Sequence, residues 1–106
     1  MPTAPSTSPG EVNAETRQYG LSHADLARIL PRLIPGVAPI CDGLAYRFAL
    51  GDLKSVCLLP GPERERRIAR LRVPYLELTF EYRGLDAAEQ AGFRARFERA
   101  FQKGGG

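Results

Sequence analysis

Residues 43–62, GLAYRFALGDLKSVCLLPGP, decide how the chain is read. Leu44, Tyr46, Phe48 and Leu50 alternate with smaller or charged residues, the period-two mark of a strand with one buried face. Gly51-Asp52 then offers a two-residue hairpin turn, with glycine at the first central position as a type II′ turn wants. That turn sets a register: Leu50 opposite Leu53, Phe48 opposite Ser55, Tyr46 opposite Cys57 and Leu44 opposite Leu59. Opposed residues share a face. The register therefore turns Cys57 inward with Tyr46 and Phe48, and sends Val56 and Leu58 to the other face with Arg47.

Working outward, residues 19–36, YGLSHADLARILPRLIPG, predict a helix. Ser22 and Asp25 can form a capping box, and Leu21 can staple against the first turn. Leu26, Ile29, Leu30 and Leu33 make one apolar stripe at helical spacing. Pro31 removes a hydrogen bond and crowds the carbonyl of residue 27, so the helix should stop or kink at Leu30. Residues 1–18, rich in Pro, Ser, Thr and Gly with hardly any large apolar side chain, predict a disordered tail.

After the PGPE turn at 60–63, the apolar phase changes once. Ala69, Leu71 and Val73 share one parity, and Leu76, Leu78, Phe80 and Tyr82 the other. Because a one-residue slip flips every side chain, a bulge or break is expected at Pro74, between strands at about 66–73 and 75–83. A short helix starting at Pro62, with Glu63 and Glu65 in its first turn, is the rival reading of that first strand. Residues 85–103 predict the closing helix, with Asp86 and Glu89 as a capping box and an aromatic stripe of Phe93, Phe97 and Phe101. Gly104 is placed to end it, which leaves residues 104–106 as a flexible glycine tail.

The expected fold class is α+β: a small antiparallel sheet of three to four strands, with an N-terminal and a C-terminal helix packed on one face. It occupies one domain at residues 19–103.

Composition narrows the function classes. Thirteen of the fifteen cations are arginine, which together with abundant Ala, Pro and Gly suggests GC-rich, bacterial-like coding and weakens arginine excess as a phosphate-binding sign. There is no apolar run long enough for a membrane span and no secretory signal pattern, so a cytoplasmic protein without membrane partners is expected. Two cysteines, Cys41 and Cys57, and one histidine, His23, do not form a zinc-ligand pattern or demand a Cys–His pair. Glu77 and Glu81 share a strand face without marking acid–base chemistry. No phosphate loop or nucleophile motif occurs. The expectation is no catalysis, no cofactor and no metal.

Two surfaces remain as candidates. Arg64, Arg66, Arg67, Arg70 and Arg72, with Arg94 and Arg99 on the closing helix, could contact a nucleic acid or an acidic partner. Arg70 and Arg72 could instead pair with Glu77 and Glu81 across the strands. Val56, Leu58 and Ile68 could form an apolar protein-contact patch on an uncovered sheet face, and open sheet edges could accept a strand from a partner or a second copy. The first functional reading is a non-catalytic protein-binding or assembly module, with a homodimer as one form of it. The second is a nucleic-acid-binding domain built on the arginines, and the third a carrier acting through its terminal Gly-Gly.

Overall fold

The computed structural model of the chain describes residues 12–105. Eight elements follow in order: β1 (Val12–Tyr19), α1 (His23–Ile29), β2 (Ile40–Asp42), β3 (Ala45–Gly51), β4 (Lys54–Pro60), β5 (Arg64–Ile68), β6 (Leu71–Arg83) and α2 (Ala87–Gly105). A single 3₁₀ turn, Leu30–Arg32, continues α1. All strand pairs are antiparallel, in the order β1-β6-β4-β3-β2, with β5 pairing β6 beyond that path. The architecture is α+β, but the sheet has six strands rather than three or four, and a strand precedes the first helix.

That first strand is the largest correction. Residues 12–18, expected in a disordered tail, form β1 and pair with β6 from Val12↔Arg83 to Tyr19↔Leu76. The rest of that tail, residues 1–11, lies outside the described residues. The helix-facing positions of β1 are Asn13, Glu15, Arg17 and Tyr19, opposite Tyr82, Phe80, Leu78 and Leu76. Polar side chains suffice there because α2 meets them with polar groups. Asn13 Nδ2 donates to Gln90 Oε1 (2.7 Å), and Tyr19 Oη donates to Glu98 (2.8 Å). Arg94 and the Tyr82 hydroxyl both donate to Glu15 Oε2, at 2.8 and 2.6 Å. Partial burial raises the pKa of Glu15, but those hydrogen bonds and one from Arg17 outweigh it, and the carboxyl ends below its ordinary value.

The hairpin register is the second correction. Asp52 and Leu53, not Gly51 and Asp52, occupy the β3–β4 turn, and Gly51 pairs with Lys54. Leu53 takes a left-handed φ of 64°, and a bulge between Ala49 and Gly51 absorbs Leu50. Tyr46 now faces Leu58, Phe48 faces Val56, and Arg47 faces Cys57. Left-handed backbone at a leucine costs about 1–2 kcal/mol. Burying Val56 and Leu58, both 0% exposed, stabilises by roughly 1.5–3 kcal/mol each. Burial wins, and Cys57 moves to the outer face.

The helices follow the expected chemistry. Ser22 and Asp25 form the capping box, and Leu21, Leu26, Ile29, Leu30 and Leu33 are buried. α1 gives way to the 3₁₀ turn at Leu30, where Pro31 cannot supply the next helical hydrogen bond. Asp86 and Glu89 exchange hydrogen bonds at 2.8 and 2.9 Å to cap α2. Its backbone stays helical to Gly105, so Gly104 does not end it. Phe93 and Phe97 pack on Phe80 with ring centroids 6.4 and 5.6 Å apart, both edge-on. Both helices therefore lie on one sheet face, over one core that includes Phe48, Val56, Leu58, Leu76, Leu78, Phe80 and Tyr82.

Candidate nucleic-acid interface

β4 and β5 run along the same side of β6, joined by Pro60-Gly61-Pro62-Glu63. The β4 ladder continues one step past Pro60, where the Gly61 N–H donates to the Glu77 carbonyl at 2.7 Å. Pairing resumes at Arg64↔Tyr75, one residue out of step with the preceding ladder, so the Pro-Gly-Pro segment acts as a bulge. α1 fastens it from above. The His23 N–H donates to Glu63 (2.8 Å), and His23 Nε2 donates to the Gly61 carbonyl (2.8 Å). His23 is therefore a clamp on the base of the β5–β6 hairpin.

Beyond that clamp, β5 and the first five residues of β6 form a two-stranded arm. Its register is Arg64↔Tyr75, Glu65↔Pro74, Arg66↔Val73, Arg67↔Arg72 and Ile68↔Leu71, closed by Ala69-Arg70 with Ala69 at φ 56°. Residues 62–72 are all exposed. The segment is strand rather than helix, but the single strand expected at about 66–73 is a hairpin split by the Ala69-Arg70 turn, and Pro74 marks neither a break nor a bulge in β6, which runs unbroken from Leu71 to Arg83. The phase changes because the core ends there: from Leu76 onward the even positions are buried, and nothing packs on the arm to demand a parity.

The expected arginines separate into two places. Arg64, Arg66, Arg67, Arg70 and Arg72 all lie on the arm. Arg64 and Arg66 share a face with Tyr75 and Val73, Arg67 and Arg72 share the opposite face, and Arg70 sits in the terminal turn. The Arg66 guanidinium lies over the Tyr75 ring at 4.8 Å. Arg72 stands 4.0 Å from Glu65, a pair more than half exposed on both sides. Glu77 and Glu81 are on the outer sheet face and do not pair with Arg70 or Arg72, whose places are the turn and the opposite arm face.

Arg94 and Arg99 do not join this set. Arg94 is spent on Glu15 beneath α2. Arg99 lines a separate open groove of about 480 Å³ with Arg96, Lys54, Ile34, Leu50 and Phe93. The apolar patch dissolves as well: Val56 and Leu58 are core residues by virtue of the hairpin register, and only Ile68 is exposed, at 52%, at the arm tip. Leu71, which the sequence reading left out, stands opposite it and is 66% exposed.

The outer sheet face holds one of the two cysteines. Cys57 sits between Arg47 and Glu81, in a hollow of about 180 Å³ that also touches Ser55 and Arg83. Burial, reinforced by Glu81, raises the Cys57 thiol pKa and keeps it from being a ready nucleophile. Cys41 pairs with Tyr46, placing the two cysteines on opposite faces. Among the described residues, no cluster of three or more His, Cys, Asp or Glu could hold a metal ion, and no helix is long and apolar enough to cross a membrane.

One signal in the sequence marks the arm as a unit: the Pro-Gly-Pro at 60–62 and the phase change at 74 bracket a segment that serves no core. No protein-family model, curated protein or solved structure matches the chain.

Proposed function

We propose that the β5–β6 arm binds double-stranded DNA. The observation that carries this reading is where the charge resides. From Pro62 to Tyr75 the chain has five arginines against Glu63 and Glu65, while the remaining ten cations and ten anions cancel. The whole net charge of +3 thus belongs to one projecting ribbon. Glu63, moreover, is occupied at the start of α1. A neutral body with a cationic finger suits docking on a polyanion, where each neutralised phosphate releases counterions.

Shape argues for a duplex. A five-residue ribbon is about 17 Å long, and the major groove of B-DNA, about 12 Å wide, admits two strands. Cations on both arm faces and at its tip can meet phosphates on either wall of the groove. Ile68 and Leu71 supply apolar contacts of the kind thymine methyl groups accept. Single-strand binding calls for aromatic stacking platforms, and the arm's one aromatic ring, Tyr75, is covered by Arg66. The major groove of A-form RNA is too deep and narrow for side chains to read.

Fluorescence anisotropy on a duplex DNA, the matching duplex RNA and a single strand tests this. With four or five phosphate contacts, duplex DNA affinity should fall roughly 10²-fold or more between 50 and 200 mM salt. Arg67→Gln/Arg70→Gln/Arg72→Gln should weaken binding and lower the magnitude of the salt slope by about 3, with no loss of folded signal. Binding that is absent at low salt, indifferent to the triple variant, or stronger for RNA or the single strand would overturn the reading.

A further inference from the structure

We infer that the outer edge of β1 pairs with β1 of a second copy of this chain, antiparallel, about a two-fold axis at Thr16. β1 binds β6 on one side without any irregularity, and no strand among the described residues covers its other side. Eight residues leave roughly 27 Å of strand edge, and its outward N–H and C=O groups are a template for another strand. Natural edges are blunted by proline, bulges, shortness or inward charges. β1 has neither proline nor bulge, and eight residues is not short. Its only guards are Glu15 and Arg17.

Those two charges select the partner. A two-fold axis normal to the sheet keeps each side chain on its own face, so only residues of equal parity can oppose one another. Two such registers use seven residues of β1, one centred on Glu15 and one on Thr16. The first sets Glu15 against its own copy. The second sets Glu15 opposite Arg17 of the second copy, and Arg17 opposite Glu15 of that copy, two complementary pairs at once. Ala14 then faces Gln18 of the second copy, and Thr16 meets itself. A foreign strand without this charge order meets a guarded edge, whereas a second copy meets a matched one.

The test joins sedimentation with site-directed cross-linking of the full chain. The native protein should show a concentration-dependent monomer–dimer equilibrium. Arg17→Glu, which sets like charges opposite one another twice, should weaken the dimer at least about tenfold. In a Cys41→Ser/Cys57→Ala background, Thr16→Cys should form an intermolecular disulfide on mild oxidation, because facing residues of antiparallel strands lie within disulfide reach. Gln18→Cys, displaced from its own copy by four residues along the strand, should not. A protein monomeric at every concentration, a dimer indifferent to Arg17→Glu, or equal cross-linking at 16 and 18 would overturn the inference. Circular dichroism on each variant separates lost pairing from lost folding.

Discussion

β6 is one continuous strand with two different lives. From Leu76 to Arg83 it has a neighbour on both sides, β1 and β4, and its even-numbered residues are buried under the helices. From Leu71 to Tyr75 it has β5 alone, no helix above it, and side chains that are exposed or half-buried. The backbone geometry is the same, so the difference lies in what the side chains touch. The first segment is constrained by packing. The second is constrained only by its ladder with β5, and the five arginines of the arm it helps to form serve no buried core.

The sharpest way to break that contrast is a pair of truncations. Phe80 is fully buried and meets Phe93, Phe97, Tyr19 and Tyr82 through ring contacts of 5.6 to 6.4 Å. Phe80→Ala should cost about 3–5 kcal/mol in a denaturant titration. Leu71→Ala, nine residues away on the same strand, should stay within about 0.5 kcal/mol, as exposed positions do. A loss near 2 kcal/mol for Leu71→Ala would show that the arm packs against something after all.

Carboxylates sharpen the same comparison at intermediate size. Glu15, in the body, accepts from Tyr82, Arg94 and Arg17 and has a lowered pKa. Glu65, on the arm, has Arg72 at 4.0 Å as its one ion-pair partner among the described residues. A carboxyl that is more acidic when folded stabilises fully above its unfolded pKa of about 4.5, and that stability fades as pH falls below it. Glu15→Gln should therefore cost about 1 kcal/mol or more at pH 7 and flatten the stability profile below pH 4.5. Asp25, lowered by the Ser22 backbone hydrogen bond and by Arg28, should keep part of the acid dependence. Glu65→Gln, which removes only an exposed ion pair, should leave the stability at pH 7 within about 0.5 kcal/mol of the native protein. Urea titrations from pH 3 to 7 decide it.

The sequence was readable wherever one residue type had one purpose. The Ser22/Asp25 and Asp86/Glu89 caps, the Leu26–Leu33 stripe and the Phe93/Phe97 stripe combine local chemistry with a single buried direction. β1 was hidden because its helix-facing residues Asn13, Glu15 and Tyr19 are satisfied by individual partners on α2 some 77 to 79 residues away. No local pattern records such pairings. The β3–β4 register was hidden because a glycine stood one position before the turn while Leu53 took the strained backbone. The decision belonged to Val56 and Leu58, through their burial, and not to the turn residues. Among the candidate site residues, the five arm arginines were visible as a run. Their separation from Arg94 and Arg99 depended on the phase change at Pro74 meaning the end of the core.

The smallest expected effect probes the two hairpin tips. Each has a two-residue turn whose strained member is not glycine: Leu53 at φ 64° in the body and Ala69 at φ 56° on the arm. Glycine at either position relieves roughly 1–2 kcal/mol of left-handed strain and gives back about 0.5–1 kcal/mol through the freer unfolded chain. A net gain of about 0.5 kcal/mol is expected locally at each. The tips differ in what they are coupled to. Gly84 packs so closely on the Leu53 carbonyl that a side chain there would overlap it, which ties the body turn to the start of α2. The arm turn is tied only to its own ladder, and an element with few buried contacts can open without global unfolding. Leu53→Gly should therefore raise the global unfolding free energy. Ala69→Gly should leave it unchanged and slow amide exchange only within residues 64–75. Equal gains in global stability from both would mean that arm and body unfold as one unit.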